Sequence, residues 1–240
     1  MTARPRVGLF VTCLVDLVRP QVGFAAVKLL EQSRCDVVVP TMQTCCGQPA
    51  WNAGADKDAR KIAEQVIAAF GEFDYVVAPS GSCAGMIKRH YPEVLNNDPL
   101  ALALAAKTHE LTSFLVNVRG MKSVPAKCEA RACYHDSCSS LREMRVREQP
   151  RGLLASVEGL SISELTDCDV CCGFGGLFSV KYPEISERMS DDKIADAIAT
   201  GADMLTGGDL GCLLHLEGRM KRRGMTMRVR HVAEVLADET

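Results

Sequence analysis

Two Cys-Cys-Gly triplets, Cys45-Cys46-Gly47 and Cys171-Cys172-Gly173, stand 126 positions apart in a chain of 240 residues. Each lies between an earlier and a later cysteine at nearly matching distances. Cys13 precedes the first doublet by 32 residues and Cys83 follows it by 37; Cys138 precedes the second by 33 and Cys212 follows it by 40. Thiolates are soft ligands suited to zinc or to iron–sulfur clusters, and four per half is the usual coordination number for either. The spacing therefore reads as a duplicated metal site, with Cys13, Cys45, Cys46 and Cys83 in one half and Cys138, Cys171, Cys172 and Cys212 in the other.

The other reactive side chains carry less. Cys35, between a helical pattern and an apolar strand, reads as core packing, and Cys128 and Cys133 have no counterpart in the first half. Cys168 forms a C-x-x-C with Cys171, a spacing used by metal sites and dithiol redox pairs. Nothing in the first half matches it, so it reads as a bystander or auxiliary thiol. His135 and His215 lie three residues from Cys138 and Cys212, where either could replace a thiolate; a capping or supporting histidine hydrogen-bonded near the site is the plainer reading. Trp51, the single tryptophan, either shields a cluster or packs in the core. The carboxylates show no paired acid–base arrangement, and no G-x-G-x-x-G or G-x-x-x-x-G-K string is present, so no nucleotide or flavin site is visible.

Short apolar runs separated by helical patterns must hold these thiols in place. Arg6–Thr12, Asp36–Val39 and Tyr75–Ala78 read as strands of the first half, with helices over Gln21–Gln32 and Asp56–Phe70. The second half repeats the scheme with strands over Ala126–Tyr134, Leu160–Leu165 and Ala202–Thr206 and helices over Leu141–Val157 and Ser186–Ala199. Alternating strand and helix predicts an α/β fold of two pseudo-repeated halves, 1–120 and 121–240, each a small, mostly parallel sheet flanked by helices. The stretch from Arg119 to Val124 would turn between them. An echo of the string beginning at His109 in the string beginning at His231 adds to the duplication. In such layers the residues just past the carboxyl ends of the strands line the binding crevice, where the cysteines fall. Glycines beside them let backbone N–H groups approach an anionic cluster.

A net charge of −2 and a pI near 6.2 argue against nucleic acid, whose backbone demands clustered Lys and Arg. The short run Lys221-Arg222-Arg223 reads as a solvated helix end. The amino-terminal stretch has a basic head and an apolar middle, but Cys13 and Asp16 interrupt it and no small-residue cleavage site follows, so a signal peptide is not expected. No run approaches the length of a membrane span. A cytoplasmic location is the expectation, and there the twelve cysteines point to metal or redox chemistry rather than structural disulfides.

The twofold pattern of cysteine, Cys-Cys-Gly and terminal cysteine resembles the cysteine-rich CCG domain family, which includes a subunit of heterodisulfide reductase and the iron–sulfur subunit of glycolate oxidase. Longer strings are similar to the lactate utilization protein A family: Phe10-Val11-Thr12-Cys13-Leu14-Val15-Asp16, Cys45-Cys46-Gly47-Gln48-Pro49-Ala50, Pro79-Ser80-Gly81-Ser82-Cys83, Cys171-Cys172-Gly173-Phe174-Gly175-Gly176 and His231-Val232-Ala233-Glu234-Val235-Leu236. The resemblance implies a cytosolic iron–sulfur component of a three-protein system oxidising L-lactate to pyruvate. Its implied partners are a ferredoxin-like subunit with cubane clusters and a third subunit, and its implied cluster ligands are the eight cysteines. One departure stands out. The wider family ends each half in C-x-x-C, and Ser80 and Asp209 replace the first of those cysteines here. Four thiolates suit an ordinary 4Fe-4S cluster, with Ser80 or Asp209 as candidate oxygen ligands. Two rival readings use the same residues: a structural protein stapled by zinc, and a thiol–disulfide reductase working through Cys168 and Cys171 or a cysteine doublet.

Overall fold

The computed structural model of this protein describes residues 4–238; Met1 to Ala3, part of the basic head considered for a signal peptide, lie outside the described residues. Two four-stranded sheets dominate it. The first comprises β1 (Arg6–Leu9), β2 (Asp36–Val38), β3 (Tyr75–Ala78) and β4 (Thr108–Glu110) in the order β2-β1-β3-β4. The second comprises β5 (Lys127–His135), β6 (Glu158–Ser163), β7 (Met204–Gly207) and β8 (Arg228–His231) in the matching order β6-β5-β7-β8. Every pairing is parallel. The chain is thus an α/β protein of two repeated halves, as expected from the alternation of strand and helix.

Several expected boundaries move. The first strand ends at Leu9 rather than Thr12, because Thr12 caps the helix Cys13–Val18, its Oγ1 accepting from the Val15 amide. The helix expected over Leu141–Val157 is two pieces, a π-helical turn Ser139–Glu143 and a helix Glu148–Leu154, parted by Arg145 in a left-handed conformation. The strand expected at Leu160–Leu165 runs two residues earlier, and the one expected at Ala202–Thr206 begins at Met204. The helix expected from Ser186 starts at Pro183, whose ring suits a first turn. Strands β4 and β8 were not expected at all. They also correct the echo between His109 and His231: β4 ends at Glu110 and β8 at His231, and each of these caps the next helix, so Glu110 is the counterpart of His231.

Three apolar clusters hold the layers together. One lies under the helix Asp56–Phe70 of the first half and one beside the helices Pro183–Ala199 and Leu210–Arg222 of the second. The largest is common to both halves, joining Val7, Leu9, Leu29 and Phe114 to Tyr134, Leu154, Val232 and Leu236. The two sheets therefore close on one another with their cysteine-bearing ends adjacent. A close backbone approach allows it: a Cβ on Gly81 would lie 1.9 Å from Ser140 Oγ and 2.8 Å from the Ser140 backbone.

Candidate metal centres

In both halves the strand order reverses between the first and third strands, and the cysteines collect at their carboxyl ends, where α/β sheets open their binding crevice. Cys13 begins the helix after β1, Cys45 and Cys46 end the loop after β2, and Cys83 sits in the helix Gly81–Gly85 after β3. Cys138, Cys171, Cys172 and Cys212 take the same places around β5, β6 and β7. Thr12 adopts a φ of 78°, a strained value for a β-branched residue, immediately before Cys13. Gly47 and Gly173 follow the doublets at φ of 84° and 87°, and their amides each reach back 3.4 Å to Cys45 Sγ and Cys171 Sγ.

The sulfurs form the same chain of contacts twice, Cys13 to Cys45 to Cys46 to Cys83 and Cys138 to Cys171 to Cys172 to Cys212. The hydrogen bond from Cys13, followed by that from Cys46, pulls the Cys45 thiol down to about 2; Cys138 and Cys172 do the same for Cys171. The cost falls on the neighbours. Cys13, Cys46, Cys138 and Cys172 are all pushed upward, first by their bond to the ionised sulfur; burial adds to this, after a second sulfur bond, to Cys83 or Cys212, in the case of Cys46 and Cys172. Ionising one thiol thus opposes ionising its neighbours, and clustered sulfurs of this kind are compatible with a metal or iron–sulfur cofactor whose positive charge would offset them.

Each set opens on one cavity. Cys13, Cys45, Cys46 and Cys83 face a space of about 160 Å³. Cys138, Cys171, Cys172 and Cys212 face one of about 240 Å³. Loops are exchanged across the halves: Phe174 and Gly176 wall the first cavity, while Gln48 and Ser82 wall the second. Gln48, Ser82, Phe174, Gly176 and Asp209 border both, so the two cavities are neighbours. Cys13 and Cys45 also face a separate cleft of about 460 Å³, together with Leu17 and Val39.

Ser80 and Asp209 line the first cavity but are engaged with each other. Ser80 Oγ donates to Asp209 Oδ2 at 3.2 Å, and the Ser82 amide donates to the same oxygen at 2.9 Å. Each also caps the helix carrying the last cysteine of its half, Ser80 accepting from the Cys83 amide and Asp209 from that of Gly211. The pair thus forms a latch between the halves.

Cys168 is not among the residues facing either cavity. Its sulfur lies 3.6 Å from Arg147 Nη2 and 3.5 Å from Asp169 Oδ1, and it packs beside the second-half core. Trp51 packs on the first-half core, 5.8 Å from the His90 ring. His215 braces rather than ligates: its Nε2 meets Ser190 Oγ at 2.7 Å and Ser186 Oγ at 3.2 Å, and those hydroxyls donate to the Cys172 and Gly173 carbonyls. In the first half Tyr91 does this work, donating to the Cys46 carbonyl at 2.9 Å. Gln43 ties the β2 loop to β1, accepting from the Val11 amide and donating to the Leu9 carbonyl. None of these bracing residues was singled out from sequence except His215; an aromatic or amide far from any motif gives no local signal. His135, at the end of β5, is brought within 4.8 Å of the Cys172 and Cys212 sulfurs.

Comparison with known proteins agrees with this duplication. Residues 7–88 and 132–217 each match the cysteine-rich domain CCG. The chain is 50% identical over 235 residues to the lactate utilization protein A of Geobacillus kaustophilus, covering 96% of this chain and 98% of that protein. The proteins of that name from Shouchella clausii and Halalkalibacterium halodurans are 48% and 47% identical, again over 96% of this chain, and 98% and 96% of theirs. A crystal structure of a hypothetical protein from Helicobacter pylori matches with a TM-score of 0.68 at 12% identity, a likeness of fold alone; it covers 98% of this chain, which spans half of that one.

Proposed function

The chain belongs to the lactate utilization protein A family, and from that premise we propose that it serves lactate utilization, as the iron–sulfur electron-transfer subunit of a multi-protein system oxidising L-lactate to pyruvate. The observation that carries this reading is that all four thiols of each set open on one common cavity, twice over. A single zinc ion sits about 2.3 Å from each of four sulfurs and needs no such space. Bound at these sets, iron–sulfur clusters, of the 4Fe-4S kind for four thiolates, supply one-electron storage and transfer.

The chain's own residues do the rest. The eight cysteines supply the negative charge that holds iron, and the Gly47 and Gly173 amides temper it at Cys45 and Cys171. Tyr91 and the Ser186–Ser190–His215 group fix the doublet backbones. The wall common to both cavities supports electron passage within the chain. The cleft beside Cys13, with Leu17 79% exposed at its rim, supports exchange with a protein partner, the ferredoxin-like subunit, with the third subunit completing the system. A cytoplasmic location is part of the same proposal; among the described residues no helix is long and apolar enough to cross a membrane.

The test is growth. In a host whose growth on L-lactate has been abolished by deleting its own family member, the chain restores that growth, whereas folded Cys46→Ala and Cys172→Ala variants do not. Growth restored equally by both variants contradicts the proposal.

A further inference from the structure

The two cysteine sets are copies, but their surroundings differ at one position. Three residues before Cys13 stands Phe10, fully buried with its ring 5.5 Å from Phe70. Three residues before Cys138 stands His135, equally inaccessible at 1% exposure. Both ring nitrogens of His135 are buried without a hydrogen-bond partner. A neutral imidazole has one nitrogen that must donate and one that must accept, and burying both unmet is costly. A ring nitrogen of His135 and the Cys172 and Cys212 sulfurs all lie within 4.8 Å of one another.

We propose that His135 is a nitrogen ligand of the second metal centre, which thereby takes a mixed thiolate–imidazole donor set while the first remains all thiolate. This rests on the metal-centre reading above and deepens it. Only the second half offers a further donor beside its four thiols, at the end of its central strand, where the first half has Phe10. Gly207 leaves room for it: a Cβ there would meet the His135 carbonyl at 2.9 Å and its Cβ at 3.6 Å. Because an imidazole ligand alters a cluster's potential relative to thiolates alone, the two centres are electronically distinct, giving intramolecular transfer a direction.

The experiment is pulsed electron paramagnetic resonance on anaerobically reconstituted, partly reduced protein made with ¹⁴N- or ¹⁵N-histidine. The wild-type chain needs no substitution to show the effect: a directly bound nitrogen gives a coupling that changes with the isotope. The coupling persists in Cys46→Ala, which keeps the second set, and disappears in Cys172→Ala. In His135→Phe, which installs the first half's residue, the coupling is lost and one of two reduction steps shifts while the other stays. Full iron and sulfide with no isotope-sensitive coupling overturns the ligand assignment alone. Protein that takes up no iron or sulfide after reconstitution overturns that assignment together with the reading it rests on.

Discussion

His231 caps the final helix with Nδ1, which accepts from the Ala233 amide at 3.1 Å, while Glu234 returns a carboxylate to the His231 amide. Burial drives its ionisation down to about 4. An unfolded histidine titrates near 6.5, so between those values the unfolded chain binds a proton that the folded one refuses. Stability therefore falls as pH drops from about 7 to about 4, by of order 3 kcal/mol for this group alone. Denaturant unfolding at pH 7 and 4.5 should show that decline shrinking in His231→Asn, which keeps a good cap without the titration; an unchanged decline contradicts the assignment. The grouping of the cysteines into two sets was legible from spacing alone because it rests on residue type and position together. Tyr91, Gln43 and the serines at 186 and 190 were not, because their roles exist only once distant segments meet.

The helix Gly81–Gly85 carries Cys83 and crosses the π-helical turn after Cys138 at van der Waals contact. Replacing Gly81 by Ala gains up to about 1 kcal/mol of helix propensity. It also drives a methyl to within 2.8 Å of the Ser140 backbone, which cannot yield as a side chain would. Overpacking typically costs about 1–3 kcal/mol, so Gly81→Ala should destabilise the fold, and Gly81→Val more so, with loss of iron from both centres. Unfolding curves and iron analysis of the two variants check this; unaltered stability would show the halves less tightly seated. The long amphipathic helices Gln21–Gln32 and Asp56–Phe70 and the apolar β3 were legible to the residue. The short polar strands β4 and β8 were not, since Thr108-His109-Glu110 and Arg228-Val229-Arg230-His231 owe their pairing to a neighbouring strand rather than to their own pattern. The break between Glu143 and Glu148 escaped for a related reason, a left-handed Arg145 where no glycine marks the turn.

Taken whole, the molecule places two equivalent thiol sets side by side across a pseudo-symmetric seam, with Asp209 and Ser80 latched between them. The seam is held by the common core and by Arg19, which bridges to Glu217 at 2.8 Å from the opposite half. Duplication was legible in the cysteine spacing, but adjacency of the sets was not, because nothing in a linear repeat says that the copies face one another. That adjacency supports the proposed carrier, in which electrons would pass from one centre to the next, over two independent staples. The direct measurement is iron, acid-labile sulfide and zinc per chain in anaerobically purified and reconstituted protein, with visible absorption before and after dithionite. Iron and sulfide matching two clusters per chain, with absorption that bleaches on reduction, is the predicted result. A colourless protein holding stoichiometric zinc after attempted reconstitution would contradict it.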